Sequence, residues 1–431
     1  MSRAGRVFGL LSFSLAIVGA AAPAAAQGGR LCSALFQNMH VRDVMRDDYL
    51  WYRELPKVSL SAYATPQAYL DAVRYRPLDQ TFSFITSRQA NDAFYSDSQY
   101  IGLGFSTSLN GNELRVMEVY PGSPAHEIQM ARGARILQIN GRAVAELVRS
   151  GEIGGAFGAS EIGVAAEILF ERDGVTTSAR LLKRKVTIPT VSATRVITVD
   201  GRKVGYIFFR NFVEPSSEAL DRAFAELKAA QVTELVLDLR YNGGGLVDVA
   251  QHLASLIGGA RTDGNVFAEY FHNDRNTDRN RVTRFDRRSQ ALTLDRLVVV
   301  TTRASASASE LVINSLRPFM PVWIIGDRTY GKPVGQYSSP FCDKVLAAVS
   351  FTLRNADGQG DYFDGLQPHC RAADDLEHQL GDPLEGSLRE ALMVIATGQC
   401  SRAAATSPPA SPRRVPALPA ATGWQELVGA Y

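Results

Sequence analysis

Three rhythms of apolar and polar positions divide the chain. Between about residues 33 and 95, aromatic residues such as Tyr49, Trp51, Tyr52, Tyr69 and Tyr75 recur in short stretches broken by Pro56, Pro66 and Pro77. That pattern predicts a helical segment in pieces, covering 27–97, and a packing or homodimer surface. From 98 to 186 the rhythm shortens. Leu114–Val119 alternates with period two, Arg135–Ile139 runs into an Asn140-Gly141 turn, and Ala166–Glu171 closes the run, so a small β-rich domain is expected. After about 190, continuous apolar strands (Val204–Phe209, Leu235–Leu237, Leu297–Val300, Val322–Ile325) alternate with helical faces. One face carries Leu220, Phe224 and Leu227, with Ser216 or Ser217 placed to cap it; another carries Val249, Ala250, Leu253, Leu256 and Ile257. Strands apolar on both sides imply a mostly parallel sheet covered by helices, here over 190–400. The expected class is therefore α/β, in an α+β multidomain chain. Residues 260–292, rich in Arg, Asn and Asp, read as a long polar excursion.

The ends carry different signals. Arg3 and Arg6 precede an apolar run from Val7 to Ala22, followed by Ala24, Ala25 and Ala26. This is the order of an export signal over 1–26, cleaved after Ala26, and the run is shorter than the roughly 20 apolar residues of a spanning helix. The expected location is periplasmic or secreted, with no membrane insertion after cleavage. Residues 402–421 are rich in Ala, Pro and Ser and read as a disordered linker; 422–431 form a short apolar tail. A net charge of +2 gives no reason to expect a nucleic-acid partner. Four cysteines in an oxidising compartment allow three pairings, of which Cys342–Cys370 with Cys32–Cys400 is preferred. No CxxC spacing occurs, so neither a zinc site nor any other cofactor is expected.

Chemistry is expected where strands end and helices begin. One such junction reads Asp238-Leu239-Arg240-Tyr241-Asn242-Gly243-Gly244-Gly245, whose glycines permit positive φ and leave amides free to face an anion. No Lys-Ser/Thr follows, so it is not a P-loop. The other reads Ser305-Ala306-Ser307-Ala308-Ser309-Glu310, small residues that let a hydroxyl project from a sharp bend. A serine needs a base. Among six histidines only His252 is a rival, and it reads as a helix-face residue. Lys332, in Thr329-Tyr330-Gly331-Lys332-Pro333, can serve if burial disfavours its ammonium.

Taken together these segments resemble the carboxyl-terminal processing (tail-specific) peptidases, a family related to the tricorn core protease. Lys332 stands 25 positions after Ser307, Gln336 stands four after the lysine, Asp238–Gly244 matches a DLR-x-N-x-GG segment, and Gly365–Pro368 matches a closing Gly-x-x-Pro turn. Pro333 departs from the family's usual glycine and puts the shape of that loop in question. The resemblance implies a ClpP/crotonase-like core in which Ser307 is the nucleophile, Lys332 the base and Gln336 its orienting partner. Ala308 and Gly243 or Gly244 would present the oxyanion amides, and Asp238 and Arg240 would support their loop. Ser305 and Ser309 would cap or pack.

Gly102-Leu103-Gly104-Phe105, followed by Gly122-Ser123-Pro124-Ala125 and the Arg135–Gly141 strand-turn, resembles a PDZ domain's carboxylate-binding loop and its neighbours. That implies capture of unfolded or tail-exposing protein substrates by their apolar C-termini. The chain's own Trp424–Tyr431 tail is a candidate occupant of the same groove. Two other readings compete: a catalytically inactive PDZ scaffold and a crotonase-like acyl-transfer enzyme.

Overall fold

The computed structural model describes residues 32–402. The expected export signal, the linker from residue 403 onward and the apolar tail lie outside the described residues. Two sheets make up the larger domain. The central one orders its strands Val191–Val199, Arg202–Phe209, Glu234–Asp238, Leu297–Thr301, Val322–Gly326 and Cys370–Arg371. Only its first pair is antiparallel; the remaining neighbours run parallel. Successive residues of a strand face opposite sides. Ile207, Phe209, Leu235, Leu237 and Val299 therefore meet the helices Ser216–Ala229, Val247–Gly258 and Ala308–Leu316. On the reverse side, Tyr206, Phe208, Val236, Val298 and Val300 meet the helix Gly386–Thr397.

The second sheet corrects the expectation of a mostly parallel core. It is antiparallel throughout, running Phe84–Ser87, Lys344–Arg354, Val266–His272, Arg281–Arg284, with Val334–Phe341 along the other side of the long strand. Antiparallel pairings thus predominate in the molecule. Two of these strands come from the supposed polar excursion, because Phe267, Ala268 and Tyr270 turn into the main core. Ser216 and Ser217 do not cap their helix. Pro215 holds the cap position, and Ser216 Oγ is engaged with the Val213 amide and the Asn211 carbonyl.

Residues 105–182 form a separate antiparallel sheet, ordered Phe105–Asn110, Glu113–Val119, Arg135–Ile139, Ala165–Arg172, Val175–Leu182, around its own apolar cluster. Two buried arginines join it to the larger domain. Arg210 donates to Glu118 Oε2 at 2.9 Å and to the Tyr241 carbonyl. Arg132 donates to Tyr241 Oη at 2.7 Å and to Asp374 Oδ1 at 2.9 Å. The N-terminal segment is helical at Ala34–Asp47, Pro66–Val73 and Arg88–Asp97, and packs Val41, Met45, Tyr49 and Leu70 against Val334, Leu346 and Ala348 of the antiparallel sheet. No helix among the described residues is long and apolar enough to cross a membrane.

The disulfides are Cys32–Cys342 and Cys370–Cys400, not the preferred pairing. Topology decides this. Cys342 occupies the turn between Val334–Phe341 and Lys344–Arg354, whose first strand contacts the N-terminal helix, while Cys370 and Cys400 meet where the last helix returns past the sheet edge. Replacing Cys370 and Cys400 by serine opens a loop of sequence separation 30. The expected loss is about 3–4 kcal/mol, read as a lower denaturant midpoint with unchanged slope.

Candidate active site

Ser307 sits where the strand Leu297–Thr301 gives way to the helix Ala308–Leu316, with φ +55° and ψ −113°. A non-glycine residue held there costs about 1–3 kcal/mol, which the surroundings must offset. They do so through the glycine loop. Ser305 Oγ donates to the Leu239 carbonyl at 2.7 Å, and Ser309 Oγ and the Ala306 amide both donate to the Asn242 carbonyl, at 2.8 and 3.1 Å. Ser305 and Ser309 thus bind the two junctions together, as expected of flanking serines. Gly244, at φ +99°, lies so close that an added Cβ would stand 2.8 Å from Ser307 Cβ.

One of the glycine amides is taken up within its own loop. Gly244 N–H donates to Asn242 Oδ1 at 2.9 Å and is already engaged. Gly245, rather than Gly243 or Gly244, lines the cleft with Ser307 and Ala308. Ala308 opens its helix, where N–H groups lack partners within the helix.

Lys332 is 5% exposed, and its Nζ donates to Gln336 Oε1 at 2.7 Å. Gln336 cannot turn over. Its Nε2 donates to the carbonyls of Phe82 and Ala347, so its oxygen must face the lysine. Pro333 leaves the lysine in the cleft: Ser307, Lys332 and Gln336 line the same space of about 360 Å³, with Leu311, Val334, Phe351 and Leu353 as its apolar wall. The Gly365–Pro368 turn closes against this loop. Leu366 N–H donates to Thr329 Oγ1 at 2.7 Å, and an added Cβ on Gly365 would stand 2.3 Å from the Thr329 carbonyl oxygen.

Glu310 was not assigned a role from sequence, and the structure gives it one. Fully buried, it accepts from Ser307 N–H and Lys332 N–H at 2.9 Å each, from Gly331 N–H at 2.7 Å and from Thr329 Oγ1 at 2.5 Å. Burial pushes its carboxyl pKa up, and the four donated hydrogen bonds oppose that shift. The signal was the Ser-x-x-Glu spacing of a capping box, with the glutamate reaching back to the serine amide.

The remaining residues fall outside the cleft. His252 pairs with Asp221 Oδ1 at 2.9 Å across two helices, and burial lowers its pKa; it is a helix-face residue. Arg240, fully buried, clasps Asp238 and Glu385, donating to Asp238 Oδ2 at 2.7 Å and to Glu385 Oε1 and Oε2 at 2.7 and 2.8 Å. Asp238 and Arg240 are therefore supports beneath the glycine loop. In the small domain, Leu103 and Phe105 are buried in its core rather than open to a ligand. Gly102 ends a strand paired with Arg184–Thr187, and Gly104, at φ +94°, turns the chain into Phe105–Asn110. Its carbonyl accepts from Tyr120 N–H at 2.8 Å.

Residues 203–372 match peptidase family S41, and residues 37–84 match the peptidase S41 N-terminal domain. The carboxy-terminal processing protease CtpB of Bacillus subtilis (strain 168) is 25% identical over 284 residues, 66% of this chain and 57% of that protein. The chain thus spans little more than half the length of that relative. A Bacteroides fragilis NCTC 9343 protein, solved by crystallography as a candidate S41 protease, superposes with TM-score 0.67 at 27% identity, covering 82% of this chain and 96% of that one. A photosystem II D1 C-terminal processing protease shares the fold, with TM-score 0.52 at 22% identity over 84% and 98% of the two chains. The tricorn protease overlaps at a TM-score of 0.34, too low to support the expected kinship. The chain thus resembles peptidase family S41 over two segments that lie in order and together span about half its length.

Proposed function

We propose that the protein is a serine endopeptidase of the carboxyl-terminal processing type, working through a Ser307–Lys332 dyad on exported proteins. The observation that carries this is the lysine: a nearly buried amine, aimed by a glutamine that cannot flip, in one cleft with a serine held at a strained bend. Neutral Lys332 takes the Ser307 proton as the hydroxyl attacks the scissile carbonyl, then gives it to the leaving amine. The amides of Ala308 and Gly245 receive the developing oxyanion; one such donor typically contributes roughly 3–4 kcal/mol.

The small domain serves as the PDZ-type capture module. Its strand Phe105–Asn110 is the outermost of its sheet, so a substrate tail adds alongside it, the terminal carboxylate meeting the Gly102–Phe105 turn. Export is supported by the basic-apolar-small order of residues 1–26 and by two disulfides, which persist in oxidising compartments. The strained serine beside an aimed amine favours hydrolysis over a silent scaffold, and the dyad favours it over acyl-transfer chemistry.

The test is digestion of an unfolded protein ending in an apolar tail, against the same protein ending in Asp-Asp. Faster cleavage of the first is expected, unaffected by chelator and rising toward alkaline pH, because the base must lose its proton to act. Absence of cleavage, or its loss on chelation, would sink the dyad reading.

A further inference from the structure

The base is completed by a residue from the N-terminal segment. Phe82 is the acceptor for Gln336 Nε2, and the centroid of its ring lies 5.9 Å from Lys332 Nζ. It is anchored on both sides. Thr81 Oγ1 stands 3.1 Å from Tyr330 Oη, and the rings of Phe82 and Tyr330 meet at 6.1 Å. Tyr330 N–H in turn donates to the Ser305 carbonyl at 2.9 Å. On the other side, Ser83 Oγ donates to Asp79 Oδ2 at 2.6 Å and accepts from Val349 N–H at 3.0 Å, and the strand that follows pairs with Lys344–Ala347. Asp79 is itself held by Tyr49 Oη at 2.9 Å.

We infer that Phe82 is a positioning residue for the lysine: its carbonyl fixes the Gln336 amide and its ring keeps water from the Lys332 amine. The inference rests on the proteolytic reading above. Two influences of the ring on the amine oppose each other. Excluding water disfavours the ammonium. The ring face attracts it, but 5.9 Å is at the outer limit of about 6 Å for that attraction. With exclusion the larger of the two, the ring helps keep the base neutral, and the pH dependence below tests that sign. The other ionisable groups about Lys332 are Glu310 beneath its amide, Tyr330 in its loop, and Tyr95, Asp92, Glu214 and Tyr362 around the cleft. Of these, Tyr330 alone has a ring contact with Phe82, and Leu and Gln at 82 remove that contact equally.

Leucine and glutamine are of similar bulk, and only glutamine sets a polar group beside the amine. The experiment follows kcat/KM on a peptide, and the rate of Ser307 labelling by a fluorophosphonate, as functions of pH in wild type, Phe82→Leu and Phe82→Gln. Phe82→Leu should stay within about threefold of wild type with the same rising limb. For Phe82→Gln the limb should move up by about one pH unit, a roughly tenfold loss near neutrality that is recovered at alkaline pH. Equal losses in both variants at every pH, or a Phe82→Gln limb that does not move, would overturn the inference and leave the proteolytic reading standing. A wild type whose cleavage is matched by Ser307→Ala would remove that reading, and the role of Phe82 with it.

Discussion

Replacing Ser307 by alanine should lower kcat/KM by about ten-thousandfold or more, while costing no more stability than one helix cap, about 1 kcal/mol. In the proposed dyad the hydroxyl oxygen forms the bond, so what would survive is only the contribution of substrate positioning and the oxyanion amides. Alanine keeps the Cβ and gives up only the hydroxyl with its capping bond to the Glu310 amide. Lys332→Ala should fall nearly as far, since a serine without its base is a poor nucleophile. Residues that act as one unit are not additive, so the double variant should be no worse than Ser307→Ala alone. Steady-state kinetics alongside a thermal melt would read all three. Substantial activity in Lys332→Ala would mean that another group takes the proton and would overturn the dyad, since His252 is turned to Asp221 outside the cleft.

Glu310→Gln should cost about a hundredfold in kcat/KM and about 2–4 kcal/mol of stability, although it changes a single atom. One carboxylate oxygen accepts from Ser307 N–H and Lys332 N–H, the other from Thr329 Oγ1 and Gly331 N–H. Whichever way the amide turns, its NH₂ faces donors in the dry interior. An unsatisfied buried donor costs roughly 1–3 kcal/mol, and the loops must separate to relieve it. Both junctions move as a result, so activity falls further than an ordinary buried substitution would cause. Activity within threefold of wild type would show that the serine and lysine loops hold their places without the carboxylate.

Local chemistry was readable from the chain, and partnership between distant segments was not. Ser307, Lys332 and Gln336 line one cleft because the lysine loop and the serine bend follow neighbouring parallel strands, Val322–Gly326 and Leu297–Thr301. The apolar faces at Leu220–Leu227 and Val249–Ile257 are buried where the 3.6-residue period put them. Which glycine presents its amide depends on backbone angles that three identical residues do not encode. Val266–His272 escaped notice because charged neighbours mask its apolar residues, and the pairing of cysteines is settled by which loops the fold brings together. Phe82 lies 250 positions before Lys332 in the chain, so no local pattern could have linked them.

Glu310 also determines how the catalytic centre comes into being. Because one water-free carboxylate holds the backbone of the serine bend and of the lysine loop together, neither can be armed while the other is loose. The assembly behaves like a two-key lock. A partly opened chain in which the two loops have come apart therefore lacks the paired serine and lysine on which the proposed dyad depends.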